Sequence, residues 1–207
     1  MLFESPIISL FRWSPLVTSA FRQNGALFVP HGLPRTPSYD PHVPIKGLLA
    51  LHLRRGDFEG HCEHLARWRS DWSGFNKIPG LLEVWETPPV NDNDEMYPEG
   101  KDAYARRCYP DIDQIVQRVD QIRRANQDKR LTNIFVMTNG KREWVEELKK
   151  ALKRGGSWER IESSRDMKLS WEQKHIAAAV DMLIGQRADV FIGNGASHHF
   201  MFCNIVC

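Results

Sequence analysis

The stretch LLALHLRRGDFEG, residues 48–60, decides the fold. It opens as a nearly continuous apolar run, Leu48-Leu49-Ala50-Leu51-His52-Leu53, as expected of a strand buried on both faces. Two arginines, Arg54 and Arg55, stand where that strand exits, followed by Gly56, Asp57, Phe58 and Glu59. Guanidinium groups at such a point are costly unless an anion or a fixed carboxylate receives them. Side chains alternate along an extended chain, so Arg54 and Arg55 point to opposite faces. One is expected to enter a cleft while the other braces the fold, with Asp57 as a candidate partner. Gly56 permits a turn that brings backbone amides near a ligand. A guanidinium so placed suits a diphosphate, with which it makes paired charge-assisted hydrogen bonds; the rival reading is a structural Arg–Asp pair. The embedded Arg55-Gly56-Asp57 tripeptide reads as coincidental as an adhesion signal.

Outward from this strand the chain alternates between helical and extended patterns. Ile112, Ile115, Val116, Val119 and Ile122 fall on one helical face. Leu131 to Met137 (LTNIFVM) is a second buried-strand run, ended by Thr138-Asn139-Gly140. Trp144, Val145, Leu148, Ala151 and Leu152 mark another helix that stops at Gly155-Gly156, and Trp158 to Ile161 suits a short third strand. Ser170 with Gln173 forms a capping-box pattern for a helix running through Gln186. Ala188 to Ile192 is the last strand. Strands alternating with helices predict an α/β fold with a doubly wound, mostly parallel sheet. Ligands then bind beyond the carboxyl ends of the strands.

The last strand ends as chemically as the first. Ile192 runs into Gly193-Asn194-Gly195-Ala196-Ser197, a glycine-rich turn with a small hydroxyl residue, which suits a phosphate cradle. Neither a G-x-G-x-x-G fingerprint nor a Walker lysine is present, which argues against NAD binding and ATP hydrolysis. Asp181 sits between Val180 and Met182 in a mostly apolar helix, and on pattern alone reads as a residue of the solvated face. Asp92-Asn93-Asp94 imitates a metal-binding triplet but lies in a polar loop, and reads as a solvated charge run.

Composition sets the outer bounds. The 207 residues include 10 Phe, 7 Trp and 4 Tyr, too aromatic for a disordered chain. A net charge of +2 disfavours a nucleic-acid binder driven by bulk charge, and no apolar run approaches the ~20 residues that span a bilayer. Residues 1–45 are predicted to be an irregular, proline-rich arm, with one short amphipathic stretch (Leu16, Val17, Ala20, Phe21) and an apolar run at 26–29. Residues 46–207 are expected to form the main domain, with a polar surface insertion over 70–105. The first residues resemble a signal peptide only faintly, since Glu4, Pro6 and Pro15 interrupt it. Of the four cysteines, Cys62 and Cys108 are candidates for a disulfide in an oxidising compartment. His61-Cys62-Glu63-His64 is dense in ligand types, but adjacent helical residues diverge, so an ordinary partly buried segment is preferred to a zinc site.

Three strings, Leu48–Cys62, Asn133–Leu152 and Ser163–Gly195, together resemble the GDP-fucose protein O-fucosyltransferases, in particular their fungal members. The resemblance spans about residues 45–195. It implies a Rossmann-like domain corresponding to the C-terminal, nucleotide-sugar-binding lobe of a GT-B glycosyltransferase, truncated at both ends. It further implies inverting transfer of fucose from GDP-fucose to a protein Ser/Thr or glycan hydroxyl, with no cofactor and no metal. By position, Arg54 grips the diphosphate and acts in catalysis, and His52 lies near the nucleotide. Asp181 meets the guanine or ribose side, which reverses its reading as a surface residue. Arg55, Gly56, Asp57, Gly193, Asn194, Gly195 and Ser197 complete the expected substrate contacts. Asp57 and Glu59 are positional candidates for a base, with neither preferred. The family works in the secretory lumen. Rival expectations are a catalytically inactive nucleotide-binding module and an incomplete fragment.

Overall fold

The apolar run becomes strand β1, Ile45–Leu53, in a computed structural model that describes residues 11–33, 43–71 and 85–193. Three more strands pair with it in parallel: β2 (Asn133–Thr138), β3 (Arg160–Ser163) and β4 (Ala188–Gly193), in the spatial order β3-β2-β1-β4. The buried pattern of β1 and β2 explains their central positions, since a parallel strand covered on both faces can carry almost no polar side chain. β3 lies at the edge, is only partly buried, and begins two residues later than Trp158.

Each sheet face has its own helical cover. On one face Leu49, Leu51, Leu53, Ile134, Val136 and Ile192 pack against α4 (Ile112–Ala125) and α5 (Arg142–Gly155). On the other, Leu48, Ala50, Phe135, Met137 and Phe191 meet Val180, Leu183 and Ile184 of α7 (Ala177–Arg187). The chain steps β1 to β2 to β3 in one direction and then crosses back past β1 to β4. The resulting switch point lies between β1 and β4, where an open α/β sheet offers a crevice beyond its strand ends.

Residues 11–33 are not the irregular arm that the proline pattern predicts. Pro15–Gln23 is a helix, α1, with Ser14 as N-cap and proline at its start. Val17, Ala20, Phe21, Phe28 and Val29 are buried in the same core as α7 and the sheet, and the Phe28 ring lies edge-on to Phe135 at 5.7 Å. Pro15 is tolerated at the helix start, where it loses no hydrogen bond, whereas Pro34, Pro37 and Pro41 of the expected proline-rich arm lie outside the described residues. Within the expected 70–105 insertion, α3 (Pro98–Cys108) forms and packs on α2 (Glu59–Arg67).

The capping box at Ser170 and Gln173 is formed, but the helix expected through Gln186 is interrupted. α6 (Trp171–Lys174) ends at His175, and α7 starts afresh after Ile176. Cys62 and Cys108 are joined in a disulfide that ties α2 to α3, which removes Cys62 from any zinc site. In the 92–94 triplet, Asp94 pairs with Arg69 at 2.8 Å, so that carboxylate serves a surface contact.

Candidate functional site

Alternation along β1 sorts the residues of its exit. His52 follows Leu48 and Ala50 onto the α7 face, and its backbone register partner on β4 is Gly193, so both stand at the switch point. Arg54 stands just past the last residue of β1. Its guanidinium lies 4.7 Å above the Phe58 ring and 3.4 Å from Asp57 Oδ2, with the side chain 42% exposed. So exposed a pair adds little to stability, and Asp57 orients Arg54 without sequestering it. Its own backbone amide and the neighbouring Arg54 charge hold the Asp57 carboxyl below the usual carboxylate range.

Arg55 turns the other way and is a brace. Expected among the substrate contacts, it is instead 8% exposed, with its guanidinium 4.0 Å from the Tyr109 ring centre and 4.3 Å from that of Trp144. Its Nη2 donates to the Pro110 carbonyl at 2.6 Å. Burial lowers the Arg55 pKa, opposed by Tyr109 and Asp111. The expected division between a bracing and an outward arginine is present, but Asp57 pairs with the outward Arg54, while the bracing Arg55 rests on Tyr109, Trp144 and the Pro110 carbonyl.

Asn139, just past the end of β2, locks the turn between them. Its Oδ1 accepts from the Arg55 backbone N–H at 2.7 Å, and its Nδ2 donates to Asp57 Oδ1 at 3.3 Å. A Cβ on Gly56 would stand 2.8 Å from Asn139 Nδ2, so this position is glycine for close approach. Thr138 Oγ1 donates to the Leu53 carbonyl at 2.5 Å, tying the two strand ends together. Arg165 in turn donates to the carbonyls of Asn139 and Gly140, each at 2.8 Å. Neither Asn139 nor Arg165 was singled out from sequence. Asn139 carried a usable signal, its place directly after a buried strand.

Asp181 is partly buried on α7. Ser164 Oγ, from the turn after β3, donates between its two oxygens, 2.9 Å from Oδ1 and 2.8 Å from Oδ2. Burial pushes the Asp181 carboxyl up to about 7, against the opposing effects of the Ser164 hydroxyl and the Arg165 charge. The surface reading of Asp181 therefore fails: both of its oxygens turn inward onto the Ser164 hydroxyl. Asp166 and Glu162 gather near Lys149 at 2.7 and 3.5 Å, an ion network that braces α5 against the β3 end.

Gly193 ends β4 at the switch point, while Asn194, Gly195 and Ser197 lie outside the described residues. Glu59 begins α2 and is exposed. The structure thus brings His52, Arg54, Asp57 and Gly193 to one strand-end region and places Asp181 on the same sheet face. An exposed guanidinium at the β1 exit and a partly buried carboxyl on α7 are suited to a ligand that is anionic at one end and donates hydrogen bonds at the other. Among the described residues, no group of three or more His, Cys, Asp or Glu side chains could hold a metal ion. No helix among them is long and apolar enough to cross a membrane.

Comparison with known proteins agrees with this fold. A search of curated proteins gave no match. Among solved structures, the crystal structure of POFUT1 in complex with GDP-fucose superposes with a TM-score of 0.52 at 18% identity, over 90% of this chain and 40% of that one. This chain thus spans well under half the length of POFUT1, and the likeness establishes a shared fold. The family model of the GDP-fucose protein O-fucosyltransferases matches residues 16–204, reaching back through α1 and across all four strands. With nearly the whole chain matched, the protein belongs to the GDP-fucose protein O-fucosyltransferase family.

Proposed function

We propose that this chain binds GDP-fucose and presents it for inverting transfer of fucose to a hydroxyl, on a protein Ser/Thr or a glycan. The observation that carries this reading is the position of Arg54, outward-facing at the carboxyl end of β1 beside the β1/β4 switch point. There it grips the diphosphate, and its charge stabilises the GDP that leaves as the sugar–phosphate bond breaks, with no metal needed. Asp181 accepts hydrogen bonds from the nucleobase, and His52 packs near the nucleotide. The cradle begins at Gly193 and continues in Asn194, Gly195 and Ser197. Asp57, Gly56 and Asn139 hold the turn that aims Arg54. The Cys62–Cys108 disulfide fits an oxidising compartment, in keeping with work in the secretory lumen.

A second reading is nucleotide binding without transfer. Calorimetric titration with GDP, GDP-fucose and UDP tests the shared premise. Saturable binding of both guanine nucleotides with no heat from UDP is expected, and equal binding of UDP overturns it. Fucose release or transfer by the same preparation then separates the two readings.

A further inference from the structure

A carboxylate meets a two-donor partner along the edge between its oxygens, and on Asp181 that edge is already taken. The Ser164 hydroxyl stands 2.9 Å from Oδ1 and 2.8 Å from Oδ2, so it lies on the axis between them. The guanine edge, with N1–H and the 2-amino group side by side, needs the same place. Ser164 has somewhere to go, because its Oγ is also 3.4 Å from the Val136 carbonyl oxygen at the end of β2. Freeing the edge requires the oxygen itself to swing toward Val136, a turn about the Ser164 Cα–Cβ bond between staggered rotamers that needs no backbone change.

Resting on the donor reading above, we propose that Ser164 is a positioning residue that occupies the paired-acceptor edge of Asp181 and yields it to the guanine base, turning to the Val136 carbonyl as the nucleotide binds. The hydroxyl keeps a partly buried carboxylate hydrogen-bonded until the base arrives, and so fixes its rotamer. It also sets a selectivity threshold. A base offering a single donor on that side replaces one hydrogen bond with one, whereas guanine replaces one with two. Ser164 comes from the turn after β3, Ser164–Asp166, which the Lys149–Asp166 ion pair anchors to α5.

The test combines a crystal structure of the protein with GDP and calorimetric titrations of GDP into the wild type, Ser164→Ala and Ser164→Thr. Titration at pH 9 keeps the Asp181 carboxyl ionised throughout. The expected complex has the guanine on both Asp181 oxygens and Ser164 Oγ turned to Val136 O. Ser164→Ala is expected to bind GDP about threefold to tenfold more tightly, having no internal donor to displace, and Ser164→Thr to match the wild type. A GDP complex with the hydroxyl still between the Asp181 oxygens overturns the proposal, as does unchanged or weaker binding by Ser164→Ala. Either result leaves GDP binding itself intact. Absence of GDP binding by the wild type overturns the donor reading and this proposal together.

Discussion

A carboxyl held near pH 7 and two adjacent arginines with different duties carry most of the chemistry at the residue scale. Asp181 is the case with a direct pH consequence. Its folded pKa of about 7 lies above the ~3.9 of an unfolded aspartate, so between those values the folded state binds more protons. Its contribution to stability is therefore present below about pH 4 and is lost as pH rises through 7. Asp181→Asn, which removes the charge but keeps the shape, is predicted to melt higher than the wild type at pH 8. The gain should shrink toward pH 5, as seen by thermal denaturation across that range, while GDP binding falls. Sequence alone could not reach this. Flanked by Val180 and Met182, Asp181 shows its neighbours along the helix but not the Ser164 hydroxyl 17 positions away. The arginine pair was more legible, because strand alternation is a local rule. It divided Arg54 from Arg55, though not which of them would be enclosed. That depended on Tyr109 and Trp144, brought in by the chain after α3 and by α5.

The central strands and the helices with clean apolar stripes were legible as elements, because burial on both faces or on one stripe is written in the residue pattern itself. The failures were at edges and joints. β3 is half buried and carries little apolar signal, so its start was misplaced by two residues. The break between α6 and α7 falls at His175 and Ile176, in a run with no proline or glycine to mark it. α2 and α3 make small clusters rather than a deep core, centred on Phe58 with the two cysteines and on Trp85 with Tyr104. The Cys62–Cys108 disulfide closes 46 residues of chain, a constraint of about 4 kcal/mol on the unfolded state. Reduction is therefore predicted to lower the urea midpoint markedly. Hydrogen exchange should rise most in α2 and α3, with β1 and β2 remaining the best protected.

Over the whole molecule, residues 15–29, which precede β1, are part of the same core. Phe28 is fully buried between Phe21 and Phe135, and the family match also begins before β1, at residue 16. Phe28→Ala is predicted to cost about 3–5 kcal/mol in chemical denaturation, as for a core aromatic, where a loosely attached arm would register almost nothing. The central claim, however, is that the exit of β1 is a diphosphate grip made by Arg54 while Arg55 supports the fold. Calorimetric titration of GDP into the wild type and Arg54→Ala tests it most directly, with thermal melting of both as the folding control. Loss of a charge-assisted contact predicts affinity about 10- to 100-fold weaker at an unchanged melting temperature. GDP binding undiminished in Arg54→Ala would contradict the account.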